Sequence, residues 1–146
     1  LGTMGLCLPA ALGAKLGAPE REVVAVIGDG GFQMTLQELG TIFQTQAAVK
    51  IIILNNQFLG MVRQWQQLYF DKRYSSTELV NPDFVAVTKG FGIEASSVSE
   101  REGLDTALKT MFDNDGPYLL EVKVEKEDNV FPMVPTGAGV DEIRLE

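Results

Sequence analysis

The sequence contains no histidine and a single cysteine, Cys7. Without imidazole, the Ser-His and Cys-His nucleophile pairs and the imidazole-based zinc sites are excluded. Any chemistry must run through carboxylates, amides, backbone groups or a bound cofactor. One cysteine cannot form an intrachain disulfide, which suits a reducing, cytoplasmic setting. Positive charge is scarce too: 12 Lys and Arg stand against 20 Asp and Glu, for a net charge of -8. Nucleic acid and anionic membrane need a basic face, so neither is expected as a partner. No apolar run approaches the ~20 residues that cross a bilayer. The opening segment LGTMGLCLPA lacks both an initiator Met and the charged start of a signal peptide, and the chain is expected to be a piece of something longer.

What is present is ordinary globular composition, 45% hydrophobic and 22% charged over 146 residues. That length supports one domain with a real core. Leu6, Ala10, Leu12 and Leu16 suggest a helix starting near Cys7 and closed by Gly17, with small residues suited to close packing. Val23 to Ile27 and residues 49–54 (VKIIIL) lack polar alternation and read as strands buried on both faces of a parallel sheet. Between them, Thr35 to Glu38 fits a capping box opening a helix. Met61, Trp65 and Leu68 share one face of a later helix. Asp71 to Leu79 reads as irregular. Asn81-Pro82-Asp83 predicts a helix start with Asn81 as N-cap and Pro82 at the first helical position. A strand at 93–98, a second capping box at Ser99 to Glu102, a helix to about Phe112 and a strand at 118–124 follow. Beyond residue 126 periodicity stops. The expected architecture is α/β, an open and mostly parallel sheet with helices on both faces, in one domain 1–146 with a tail at 127–146.

One stretch carries most of the chemistry. The first strand ends in Gly28-Asp29-Gly30-Gly31 and the next in Asn55-Asn56. A strand, helix, strand unit is a crossover, so both strands point the same way and both strand ends meet at one sheet edge. Ligands of open α/β sheets bind at that edge. Hard oxygens from Asp29 and Asn56 beside glycine backbone suit a magnesium ion carrying a phosphate or diphosphate. Taken singly, each motif is also a common turn. A dinucleotide fingerprint would need glycine at Gln33 and an acidic residue in place of Asn56, and no Walker A string occurs.

Gly28-Asp29-Gly30, 24 intervening residues and Asn55-Asn56 resemble the thiamine diphosphate-binding signature. LGTMGLCLPAALGAKLGAP, NNQFLGMVRQWQ, NPDF and FPMVPTGAGVDE resemble the large subunit of acetolactate synthases, covering only the C-terminal cofactor domain of that family and lacking the start of the domain. The resemblance implies magnesium ligation by Asp29, Asn56 and the backbone carbonyl of Phe58. It implies phosphate contacts from Gly30 and Gly31 following Gly28, and a helix start at Gly60 and Met61 facing the cofactor. Gly2 and Met4 would meet the aminopyrimidine, with Met4 wedged beneath the thiazolium. Met61, Val62 and Trp65 would line the 2-keto acid pocket, Trp65 selecting the second substrate. No catalytic residue is expected within this chain, because the family's activating glutamate lies in an N-terminal domain of a partner subunit. The implied enzyme decarboxylates pyruvate and joins the product to pyruvate or 2-ketobutyrate for branched-chain amino-acid synthesis. It carries FAD, forms a homodimer or larger homo-oligomer, and in some cases takes a regulatory small subunit. The alternatives are another thiamine diphosphate-dependent carboligase, decarboxylase or oxidase, and a non-catalytic cofactor-binding module.

Overall fold

A computed structural model describes residues 2–145; Leu1 and Glu146, the ends of the expected domain, lie outside them. Four strands, β1 (Val23–Gly28), β2 (Val49–Asn55), β3 (Glu94–Val98) and β4 (Tyr118–Lys123), form one sheet in the order β1-β2-β4-β3. All three pairings are parallel, which places the carboxyl ends of the strands on one edge.

Helix α1 (Cys7–Gly17) precedes the sheet. Its buried side chains are Leu8, Ala11, Leu12 and Lys15, spaced i, i+3, i+4 and i+7. Leu6 and Leu16, assigned to the inner stripe from the sequence, are exposed. Lys15 replaces them because its stem covers apolar surface while its Nζ donates to the Arg21 carbonyl at 2.6 Å. The small residues do not mediate a close approach either, since a Cβ on Gly13 or Gly17 would meet nothing within 4 Å.

The β1–β2 crossover holds two helices rather than one, α2 (Asp29–Gln33) and α3 (Glu38–Thr45). The Thr35 capping box does not form. The Thr35 hydroxyl donates instead to the Gly5 carbonyl at 3.0 Å, and Gln37 precedes α3 without a side-chain cap. Phe32 on α2 packs edge-on against Phe84 on α5 (Phe84–Gly90), with ring centroids 5.4 Å apart. Together with Leu8, Leu39, Ile42, Ile51, Ile53 and Leu119 they form the larger core, on one face of the sheet. On the other face α6 (Arg101–Asp113) covers Ile52, Leu120 and Val122 through Leu108 and Met111. The second capping box is also absent, since Glu100 precedes α6 with no side-chain cap.

Burial of β1 on both faces, expected from its unbroken apolar run, is not observed. β1 lies at a sheet edge and its burial alternates; Val26 is 55% exposed and Val24 and Leu54 are exposed beside it. The run is apolar on both faces, but α6 covers the β4–β3 half of the second face and reaches no further towards β1 than Ile52 on β2.

A buried lysine ties the far end of the sheet. Lys50 on β2 is 2% exposed, and its Nζ donates to the carbonyls of Asn114 and, at 2.6 Å, Gly116. Burial pushes the ammonium below its ordinary value of 10.5, while Glu22 and Asp115 pull upward. The unfolded chain then holds the proton more tightly than the folded one, so this group's contribution to stability rises as pH climbs from the lowered value towards 10.5. In thermal melts, wild type is expected to gain on Lys50→Met as pH rises towards 10.5. A gap independent of pH would contradict this account.

Candidate functional site

The crossover delivers Asp29 immediately past β1 as the first residue of α2, and Asn56 immediately past β2. The two strand ends are in register, Gly28 opposite Leu54. Asp29 is 2% exposed, and its carboxylate meets only neutral donors. Its Oδ1 accepts from the Gly30 amide at 3.0 Å, and its Oδ2 accepts from the Gln57 amide at 2.9 Å and from Asn81 Nδ2 at 2.7 Å. Ion pairs among the described residues join Arg63 to Glu127 and Lys109 to Asp113, and neither includes Asp29. In the low-dielectric surroundings of a buried site a carboxylate attracts positive charge more strongly than it would in water.

The loop after β2 is shaped for backbone ligands. Gln57 adopts a left-handed conformation with φ 61°, and the Phe58 amide donates to Asn56 Oδ1 at 3.1 Å. Phe58 bridges antiparallel to Glu78, with Leu59 N donating to the Thr77 carbonyl and Leu79 N to the Gln57 carbonyl, both at 2.8 Å. This pairing brings the polar 71–79 segment, read as irregular, back to the site. Leu59 and Leu79 close over Gly30, where a Cβ would stand 2.8 Å from Leu59 Cδ2 and 3.2 Å from Leu79 Cδ1. Met4 joins them, its Cε 3.6 Å from the same point. Gly28 and Gly2 face open space, and a Cβ on Gly60 would lie 3.3 Å from Asn56 Nδ2. The Gly30 amide, expected to face a phosphate, is engaged by the side chain of Asp29.

Helix α4 (Gly60–Tyr69) has its polarity reversed relative to a surface helix. Gln64 is 1% exposed and Arg63 is buried, while Met61 is 47% exposed and Val62 similarly so. Arg63 stacks between Phe58 and Tyr74, 5.0 and 4.7 Å from their ring centroids, and pairs with Glu127 at 3.3 Å. Gln64 exchanges hydrogen bonds with the backbone of Val130, accepting at 2.8 Å and donating at 3.0 Å. The tail is thus docked on the polar side of α4, and beyond β4 its described residues form no helix or strand, only a bridge between Met133 and Arg144. Trp65 is half-buried, packed on Tyr69 with centroids 5.2 Å apart.

Asn81 does not cap a helix as expected. Asp83 is the N-cap of α5, its side chain accepting from the Ala86 amide at 2.9 Å, and Pro82 precedes the helix. Asn81 is left free to reach Asp29. Sequence reasoning missed it because Asn-Pro-Asp contains two good caps, and nothing local selects between them. It also missed Glu121. A lone carboxylate in the otherwise apolar strand YLLEVK is a signal, since buried acids need partners.

Among the described residues no group of three or more His, Cys, Asp and Glu is placed to hold a metal ion. A metal would therefore rest on Asp29 together with amide and carbonyl oxygens. That hard, mixed donor set fits magnesium bound mainly through a ligand's phosphates. Among the described residues, no helix is long and apolar enough to cross a membrane.

The chain is 50% identical over 144 residues to the acetolactate synthase isozyme 2 large subunit of Escherichia coli (strain K12), which covers 98% of this chain and 26% of that protein. It is 48% identical to the mitochondrial acetolactate synthase catalytic subunit of Saccharomyces cerevisiae, covering 97% and 21% respectively. The chain thus spans about a quarter or less of these relatives. Among solved structures, the thiamine diphosphate-dependent 4-hydroxybenzoylformate decarboxylase of Rhodococcus jostii RHA1 superposes with a TM-score of 0.80 at 33% identity, over 87% of this chain and 24% of that one. Residues 1–122 match the family model described as thiamine pyrophosphate enzyme, C-terminal TPP binding domain. With the β1–α2 junction at Gly28 to Gly31 and the Asn55-Asn56 strand end on one sheet edge, this chain belongs to the thiamine pyrophosphate enzymes, as their C-terminal TPP binding domain.

Proposed function

We propose that the chain is the C-terminal domain of a longer acetolactate synthase and supplies the magnesium-diphosphate half of its active site. The observation that carries this reading is the 50% identity across 98% of the chain to an acetolactate synthase large subunit. Asp29, Asn56 and the Phe58 carbonyl hold Mg2+, and the backbone around Gly28, Gly30 and Gly31 accommodates the diphosphate. Bound there, the thiazolium ring supplies an electron sink for decarboxylating a 2-keto acid. Met4 lies against Gly30 and supports the ring from the protein side; Gly2 borders it.

Met61, Val62 and Trp65 line the 2-keto acid pocket. What supports this is the reversed polarity of α4: its apolar residues are held outwards because Arg63 and Gln64 are pinned beneath. Exposed apolar groups on a polar-anchored helix suit a surface completed by another domain. The activating carboxylate, the FAD site and the homo-oligomer contacts belong to the rest of the protein, as does any regulatory small subunit. The setting is cytoplasmic; the yeast relative is named as mitochondrial.

Supplied with pyruvate, Mg2+ and thiamine diphosphate, the full-length protein is expected to form 2-acetolactate, and the 146-residue chain alone to form none. Acetaldehyde as the sole product would favour a decarboxylase, the second reading, which the likeness to the Rhodococcus decarboxylase supports. Turnover by the isolated chain would overturn the division of the active site.

A further inference from the structure

A continuous hydrogen-bonded chain of side chains runs along the carboxyl edge of the sheet. Ser97 on β3 donates its hydroxyl to Glu121 Oε2 at 2.7 Å. Glu121 Oε1 on β4 accepts from Asn55 Nδ2 at 2.6 Å. Asn55 Oδ1 on β2 accepts from Asn81 Nδ2 at 2.9 Å, and the same Nδ2 donates to Asp29 Oδ2 at 2.7 Å. Asn81 Oδ1 in turn accepts from Gln33 Nε2 at 2.7 Å. Residues from or just beyond all four strands are joined, and Asp29, Asn55 and Glu121 are buried.

The direction of this chain is fixed by its two carboxylates. The carboxylate oxygens of Asp29 and Glu121 accept in every one of their contacts here. Asn55 must therefore turn its amino group to Glu121, which leaves its oxygen towards Asn81. Asn81 must present its amino group to that oxygen and to Asp29 together, so its own oxygen is turned to Gln33. Neither amide can flip without setting donor against donor or acceptor against acceptor. In a buried site such a mismatch is costly, because an unpaired group there has no water to turn to.

We propose that Asn81 is a positioning residue for the metal carboxylate Asp29, its orientation imposed by Asn55 and Glu121 on one side and by Gln33 on the other. This inference rests on the reading of Asp29 as a magnesium ligand. Asn81 holds Oδ2 through a neutral amide donor and so restrains the rotamer of the carboxylate without an ion pair. Outer partners of this kind typically change metal affinity by ~10–100-fold when removed. The chain also explains why segment 71–81 returns to the site after α4: it delivers the one donor that neither crossover strand supplies.

The test is Mg2+ affinity of the full-length protein, measured by calorimetry with thiamine diphosphate present and by electron paramagnetic resonance with Mn2+ as the probe. Asn81→Leu, close in volume but unable to donate or accept, is expected to weaken both ions by ~10–100-fold. Its kcat at saturating Mg2+ and cofactor should fall far less than its affinity. Glu121→Leu, two hydrogen bonds away, should weaken binding in the same direction, and Glu121→Gln should rescue most of that loss, because a glutamine oxygen still accepts from Asn55. Should Asn81→Leu fold poorly, Gln33→Leu releases the other side of Asn81 and is expected to weaken Mg2+ severalfold. A lowered melting temperature with metal affinity within twofold of wild type in these variants would overturn the proposal, leaving only a structural network. Asp29→Ala distinguishes the two levels of inference: metal affinity unchanged in that variant would refute the site itself, not merely its positioning.

Discussion

Replacing Asp29 with alanine is expected to abolish magnesium-dependent binding of thiamine diphosphate, weakening it by at least about a hundredfold. Asp29 is the only carboxylate in the proposed ligand set, and magnesium relies on one or two such groups besides the phosphates. Asn56 and the Phe58 carbonyl are neutral and cannot replace its charge. The folded state should respond much less than the affinity does. Alanine strands the amides of Gly30, Gln57 and Asn81, each of which now donates to the carboxylate. It also removes a buried negative charge that forms no ion pair among the described residues, and these two effects oppose one another. Calorimetric titration of the full-length protein with thiamine diphosphate, with Mg2+ and then with chelator, reads the difference directly. A variant that binds as tightly as wild type, with the same loss on chelation, would remove Asp29 from the metal site.

The second large effect is structural. Phe32→Ala should destabilise the fold by about 3–5 kcal/mol, lowering the melting temperature by about 10 °C or more. Phe32 is fully buried on the short helix that begins with Asp29, and its ring meets Phe84 edge-on. A helix of 5 residues has little stability of its own, so α2 is held in place chiefly by this anchor. Domains of this size have about 5–15 kcal/mol in total, so the loss is a large share. Because α2 carries Asp29 and Gly30, cofactor affinity should fall with it. Phe32→Leu, which keeps most of the volume, should recover much of both. Chemical denaturation of the three proteins, followed by circular dichroism, checks the ranking, and a loss under about 1 kcal/mol for Phe32→Ala would contradict the role given to Phe32.

Strand positions were legible in the sequence because parallel strands are unbroken apolar runs, and VVAVI and VKIIIL can hardly be read otherwise. From the crossover alone followed the meeting of Asp29 and Asn56 at one edge. Caps were read less well. Thr35, Ser99 and Asn81 each had the residue type of an N-cap, and none of them caps. Thr35 and Asn81 instead bond to groups remote in sequence, Gly5 and Asp29. Capping chemistry is local, and a buried long-range partner outcompetes it.

The opening feature of the chain, its lack of histidine, already confined the chemistry to carboxylates, amides and a cofactor. Residue types and their spacing alone determined the parallel α/β edge and the position of Asp29 and Asn56 on it; the turn expected at Gly28 to Gly31 is the start of helix α2. Tertiary structure alone decided three further points. It put Arg63 and Gln64 beneath α4, turning Met61 and Val62 outwards, because the docked tail satisfies the polar groups. It left one side of β1 bare, because α6 lies over β3 and β4, at the other side of the sheet. And it brought Asn81 to Asp29, a contact 52 residues apart in sequence. Such pairings depend on where loops return, and side-chain pattern within a segment carries no information about its distant partner.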